Sequence, residues 1–484
     1  MSSVNKKSVR EEIDKYKSDF EALKEKGALS NEVRLLLFGL FALLDIIVAL
    51  LLEKKTTKGK NNSHIPSSQS REEDNSATNN RRNNAKSSSA NKGRFSHQKE
   101  NTVTISLPVD FCAQCDEDLT GQEPDHIEER VCIDIIFEKH TTVYQGECKT
   151  CASCQATTKA TFPSEISGPL QYGKGVRATI INFVIVQMIA LGRASQMMAG
   201  LINHVISQAT MLKYILQLHH ALERWEKQSI DWLLTQQALH CDETSYRVDK
   251  KKQWVHSYSS GDVVLKFIHP KRGREAIEAI GIIPRYGGVL IHDCWSPYFS
   301  YTCCSHGLCG AHLLRELAFI SESNEYRWAA NMKRLLKKTR KTVSRRKRKK
   351  LTANEYKKLL TNYRNILTRG LREMPPSPKR ASGQRGRIAK TDAQNLCERL
   401  IEHEESVLRF AQESEVSFTN NRAERDLRMG KVKLKVSGCF RQEQYAQAYC
   451  RISSYIQTMR YKGYHPLAAI EMALTGEIYK EGGE

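Results

Sequence analysis

Three carboxylates stand in ordered settings: Asp242 in LHCDETSYRV, Asp293 in GVLIHDCW and Glu424 in FTNNRAERDLR. The first two belong to short apolar runs that read as strands, whereas the third sits in a charged run that reads as a helix. Hard divalent cations such as Mg2+ take oxygen ligands, and a two-metal site needs acids converging from separate elements. Taken singly, each acid is as well read as a surface carboxylate or a helix cap. Two neighbours compete for the roles. Glu243 adjoins Asp242, but successive side chains on a strand point to opposite faces. Asp426 lies two positions beyond Glu424, about 200° around a helix, and is expected to point away. Arg422, Arg425 and Arg428 surround Glu424 and are candidates for phosphate contacts.

Cysteine and histidine offer a second chemistry. Cys112 and Cys115 form one CxxC, and Cys148 with Cys151 form another after 32 intervening residues. Two such knuckles supply four thiolates for a tetrahedral structural Zn2+, with Cys154 an alternative to Cys151. Cys132, alternating with apolar residues in VCIDI, reads as a packed strand residue. Further on, Cys304, His306, Cys309 and His312 follow a C-x-H-x2-C-x2-H spacing. A metal site, a DNA-contacting or site-shaping role and buried packing all stay open for them. The 14 cysteines invite a disulfide reading. However, MSSVNKKSVREEIDKY lacks the apolar stretch of a secretory signal, so a reducing cytoplasm and metal-binding thiols are expected.

The elements that must position the acids follow from periodicity. ALHCDETSYRV, KQWVHSYSS and VVLKFIHP read as three strands, GREAIEAI as a helix and GGVLIHD as a fourth strand. This is the element order of a ribonuclease-H-like α/β fold, which brings Asp242 and Asp293 together on neighbouring strands. A later helix carrying Glu424 completes the site. Asp293 and Glu424 are 131 positions apart. That is too long for a loop, and WAANMKRLLKKTRKT and ANEYKKLLTNYRNIL are helical in pattern.

With 484 residues the chain has room for two to four domains. The expected architecture is multidomain: an α/β ribonuclease-H-like catalytic core with a helical insertion, preceded by an N-terminal helix, a small zinc ribbon and a helical domain. Residues 1–53 form an N-terminal helical, oligomerisation segment. Its apolar run Leu35–Leu52 has Asp45 as its only charge, so a membrane helix is the alternative reading. Residues 54–105 form a disordered basic linker, and 106–160 the ribbon. Residues 161–237 form a helical DNA-binding domain, with one helix ending near Gly200 and a second beginning near Ser207 in a helix-turn-helix. Ile206, Met211 and Leu212 suit core packing equally. The first part of the core spans 238–313, the basic insertion 314–417 and the C-terminal catalytic helices 418–484.

Charge points to the partner. Lys and Arg number 75 against 54 Asp and Glu, for a net +21. Twelve cationic residues and no acidic one fall between Lys333 and Lys350, among them Lys337, Lys338, Arg345 and Arg346. Such a surplus favours a polyanion, nucleic acid above all, with affinity falling steeply as salt rises.

These segments together resemble the bacterial insertion-sequence transposases of the IS66 family. The resemblance runs through KNNSHIPSSQS, HCDETSYRV with KKQWVHSYSS, HPKRGREAIEAIGIIP, HDCWSPYF, GLCGAHLLREL, NNRAERDLRMGKVKLKVSGCF and YKGYHPLAAIEMAL. It implies an Asp-Asp-Glu (DDE) triad of Asp242, Asp293 and Glu424 holding two Mg2+ ions. The implied reaction is cleavage of element ends and their joining to target DNA. Cys309 and His312 then fill a recurrent CxxH pattern near the site. The implied partners are DNA, further copies of the chain and accessory transposition proteins, in the bacterial cytoplasm and not in a membrane. Thr419 stands where the family commonly has Asp, and the zinc region is shortened between Asp134 and Cys148. Two other readings remain: an inactive DNA-binding remnant, and a nuclease that cuts without joining.

Overall fold

The computed structural model describes residues 104–478, apart from 133, 135–136, 164–165, 167, 324–325 and 376–389. The expected N-terminal helix, nearly all of the linker and most of the break in PPSPKRASGQRGR lie outside the described residues. No described helix is long and apolar enough to cross a membrane.

Among the described residues before 171, regular structure is confined to a short hairpin, β1 (Cys148–Thr150) with β2 (Thr157–Lys159), and a bridge between Phe111 and Asp118. This segment is almost wholly exposed, including Leu107, Phe111, Ile127 and Phe137. Four helices follow: α1 (Lys174–Ile181), α2 (Leu191–Ile202), α3 (Gln208–Ala221) and α4 (Glu223–Leu234). The expected helix-turn-helix boundaries are close to those observed. Asn203 ends α2 in the left-handed region, and Ser207 caps α3 by accepting the Thr210 N–H. Ile206 and Met211 are fully buried, so the turn faces a core.

The centre is a five-stranded mixed sheet. β3 (Ala238–Val248), β4 (Lys251–Ser260) and β5 (Val263–His269) make an antiparallel meander. Asp249 and Lys250, both with positive φ, form the two-residue turn between the first two strands. After α5 (Arg274–Ile280) the chain enters β6 (Val289–His292), parallel to β3, and then β7 (Ser305–Leu308), parallel to β6. The order β5-β4-β3-β6-β7 is compatible with the expected ribonuclease-H-like core. The fifth strand was not read from sequence, because four residues, SHGL, carry no alternation long enough to detect.

The remaining elements are α6 (Gly310–Ser323), α7 (Arg327–Arg345), α8 (Ala353–Glu373), α9 (Asp392–Glu402), α10 (Glu404–Leu408), α11 (Asn421–Ser437), α12 (Glu443–Tyr461) and α13 (Pro466–Leu474). Two apolar clusters organise them. One joins Ile180, Leu218 and Trp225 of the early helices to Tyr246 and Leu265 of the sheet and to Ile452, Tyr455 and Ile470 near the C-terminus. The helices expected as a separate domain at 161–237 therefore have no core of their own; they form a layer packed on the sheet and the C-terminal helices. The second cluster joins Val289, Ile291 and Leu308 to Leu317, Trp328, Leu336, Tyr363 and Leu396. The helical insertion is thus built onto the β6 and β7 end of the sheet. Its first expected residues belong to α6, which starts directly after β7 and packs Leu313 and Leu317 into that cluster.

Candidate active site

Strand register aligns the acids. In the parallel pair, Ala238 faces Val289, Leu239 faces Leu290 and His240 faces Ile291. Two further steps set Asp242 opposite Asp293. In the next pair His292 faces Leu308, so one further step sets Asp293 opposite Cys309, whose N–H donates to the His292 carbonyl at 2.9 Å. Side chains opposite each other in a sheet share a face. Continued past the last paired residues, this register would align Asp242 on β3 with Asp293 and Cys309, each directly after its strand, and Asp293 is close enough to raise the pKa of Asp242.

Helix α11 supplies the third acid, and Asn420 sets its position. This residue is buried; its Nδ2 donates to the Cys241 carbonyl at 2.7 Å, and its Oδ1 accepts from His240 Nδ1 at 2.9 Å. Its own N–H donates to Cys309 Sγ at 3.1 Å. One turn later comes Glu424. Further along, Gly430 lies against Tyr246 of β3, where an added Cβ would fall 1.1 Å from the Tyr246 hydroxyl. Close approach of helix and strand depends on that missing side chain. At the other end, Gly310 lies against Phe418, which leaves no room for a Cβ at the start of α6. Phe440, to which the sequence assigned no role, returns from α11 to bridge Val248 and stacks on Tyr246.

The electrostatics differ sharply between adjacent acids. Asp242 is pushed up to about 8, first by burial and then by Glu243, Asp293 and Glu424. Accumulated like charge in a partly desolvated place favours a cation. Glu424 Oε1 is buried without a hydrogen-bond partner, 3.8 Å from His312 Nδ1 and 4.0 Å from Arg315. The donor set fits a divalent metal. Glu243, by contrast, is pinned on the opposite face by Arg272 at 2.6 Å and by the Tyr298 hydroxyl. Asp426 also points elsewhere: it accepts from Tyr461 at 2.8 Å and from Gln457, near the buried Lys266.

The structure separates the second cysteine and histidine set. His306 lies on β7 against the fully buried His292, and Cys304 Sγ donates to the Tyr301 carbonyl. Cys309 and His312 instead gather with Glu424, one ligand atom of each lying within 4.8 Å of the others. His219, His220 and Glu223 also cluster, but Arg451 occupies their centre as a donor to His219 and Glu223, so they read as a structural ion-pair group.

The cysteine turns of the early segment are two of a kind. Cys112–Asp116 and Cys151–Gln155 adopt one turn: the N–H of Asp116 or Gln155 donates to the carbonyl of the first Cys, at 3.0 and 2.9 Å. Asp116 and Gln155 both have positive φ, and the first Cys of each turn has its thiol pKa lowered by N–H donors of the turn and by the second Cys. The turn that matches the one at Cys112 and Cys115 is thus that of Cys151 and Cys154, not one of Cys148 and Cys151. Cys148 lies on β1 and starts no such turn, because the backbone reversal that aims two thiols at one point begins three residues later.

Two of the expected phosphate contacts are engaged within the protein. Arg422 lies over the Tyr461 ring and donates to the Val263 carbonyl at 3.4 Å; Arg346 pairs with Glu355. Arg425 and Arg428 are exposed on the helix of Glu424. On α7, Arg334, Lys338, Lys341 and Arg345 are exposed at helical spacing, opposite buried Trp328, Met332, Leu336 and Val343; Lys337 is half-buried beside this stripe.

No curated protein matches the chain. The family model "Transposase IS66 family" matches residues 169–448, more than half of the chain, from the first helices through the sheet and insertion into α12. A DDE-type family implies DNA as the partner and use of a divalent metal. On this match the chain belongs to the IS66 family of transposases.

Proposed function

We propose that the protein cuts the ends of an insertion element and joins them to target DNA, with Asp242, Asp293 and Glu424 holding two Mg2+ ions. The observation that carries this reading is the row of Asp242 and Asp293 across a parallel pair, with Glu424 near enough to help raise the pKa of Asp242. When bound, such ions activate the attacking oxygen and stabilise the leaving one.

The chain's own residues do the rest. Asn420 ties the start of α11 to β3 and to Cys309, which limits how far Glu424 can move from the aspartates. Arg425 and Arg428 lie on the same helix and suit phosphates of the bound strand. The exposed stripe of α7 suits flanking DNA. A structural Zn2+ held by Cys112, Cys115, Cys151 and Cys154 suits the exposed segment before the core, since a small domain with few buried apolar residues needs a metal to order it. Assembly on DNA and accessory proteins belong to the same reading.

The test is cleavage and strand transfer of labelled element-end DNA in Mg2+, with any accessory proteins supplied, for the intact protein, Asp293→Asn and Glu424→Gln. Joined products with the intact protein alone support the reading. Cleavage without joining supports a nuclease, and binding without either supports an inactive remnant. Equal activity in all three proteins rejects these acids.

A further inference from the structure

We propose that Cys309, His312 and Glu424 form a second zinc site, built into the row of catalytic acids and distinct from the ribbon. Their ligand atoms lie within 4.8 Å of one another, and His312 Nδ1 stands 3.8 Å from Glu424 Oε1. Both of those atoms are buried without a hydrogen-bond partner. Two orphaned polar atoms facing each other beside a thiol mark a place for a third body, since buried polar groups otherwise find partners. The ligands of a tetrahedral zinc lie roughly 3.3–3.6 Å apart, so only a small contraction closes this set on an ion.

The chemistry of the set differs from that of the two aspartates. Mg2+ prefers oxygen alone, whereas thiolate and imidazole select zinc and similar borderline metals. The surroundings suit a bound thiolate. Cys309 is 2% exposed, and its Sγ already accepts the Asn420 N–H at 3.1 Å. Such a bond stabilises negative sulfur and orients it, as second-shell donors do at metal centres.

Three protein ligands leave one position of a tetrahedron open. That is the pattern of zinc sites that bind water or substrate, whereas structural sites are closed by four. The side chains of His312 and Glu424 are 37% and 29% exposed. The facing atoms themselves are buried, so a water or a phosphate oxygen would reach the open position only past these partly exposed side chains. A zinc there would hold Glu424 by one oxygen and place a fixed positive charge beside Asp293, which row register sets next to Cys309.

The experiment counts metal and does not depend on DNA chemistry, so its failure and a failure of the transposase reading are separate events. Purified full-length protein, Cys309→Ser and His312→Ala are each dialysed against Zn2+ and then metal-free buffer, and zinc per chain is measured by elemental analysis. Each variant is expected to hold about one zinc fewer than the intact chain. In parallel, the chain carrying Cys112→Ser, Cys115→Ser, Cys151→Ser and Cys154→Ser is loaded with Co2+. A thiolate-to-cobalt charge-transfer band is expected there and should vanish when Cys309→Ser is added. His312→Ala changes a side chain that is more than one-third exposed, so it separates ligand loss from misfolding. Unchanged zinc in both variants, or loss in Cys309→Ser alone with a lowered melting temperature, overturns the site.

Discussion

The two faces of β3 carry adjacent acids with opposite fates. On one face Glu243 is buried at 8% exposure but compensated by Arg272 and Tyr298. On the other, Asp242 gathers with Asp293 and Glu424, and its pKa climbs to about 8. Glu243 is the more buried of the two and burial raises its pKa as well, but only Glu243 has a cation and a hydroxyl to offset that burial. A compensated acid ties the strand to its neighbours, whereas an uncompensated group of acids is costly until a cation arrives. Asp426, one helical face from Glu424, is in part compensated: its Oδ1 accepts from Tyr461 and Gln457 and the buried Lys266 offsets its charge, although its Oδ2 is buried without a partner.

The largest effect expected from this contrast is on Asp242. Asp242→Asn should lower cleavage by about 10³-fold or more while raising the melting temperature of the metal-free protein, because it removes like-charge repulsion. A fall in both quantities would place Asp242 with Glu243 as a structural group. Next comes the packing that holds α11 to the sheet. Gly430→Ala forces the Tyr246 ring or the helix to move and should cost about 3 kcal/mol, read by denaturant unfolding; an unchanged midpoint would show that the close approach is not needed. Glu243→Gln should cost about 2 kcal/mol, since it strips the carboxylate from a partly exposed Arg272. Its loss of activity should track the loss of folded protein, unlike that of Asp242→Asn.

Smaller effects lie away from the sheet. Lys338→Ala with Arg345→Ala should weaken DNA binding several-fold for all sequences and flatten its dependence on salt. A loss confined to one sequence would mean base reading instead. The smallest concerns His219, lowered from 6.5 to about 4 by burial, then by Arg451 and His220. A depressed histidine favours the folded state above its unfolded pKa, and that contribution disappears as pH falls from 6.5 toward 4. His219→Gln should therefore flatten the acid limb of a stability profile in that window.

Much of the site could be read from residues. Alternation along ALHCDETSYRV predicts a strand with Asp242 and Glu243 on opposite faces, and β3 has them so, because the pleat enforces a period of two. Helical spacing likewise predicts that Asp426 turns away from Glu424. Asn420 was missed as an anchor. The pair of asparagines before Glu424 was visible, but a side chain that bonds residues 179 and 180 positions away leaves no local pattern.

The sequence by itself pointed to the candidate acids, the basic stripe, the first CxxC and the order of the first four strands and the helix among them. These depend on residue type and short-range period, which are local properties of a chain. Only the tertiary structure decided that the early helices share one apolar core with the sheet, that Cys154 rather than Cys148 shares a turn with Cys151, and that Arg346 and Arg422 are held by the protein. It also decided that Cys309 joins the row of acids while Cys304 and His306 pack elsewhere. Those outcomes depend on register, turn geometry and contacts between distant segments, and such contacts exist only once the chain has closed on itself.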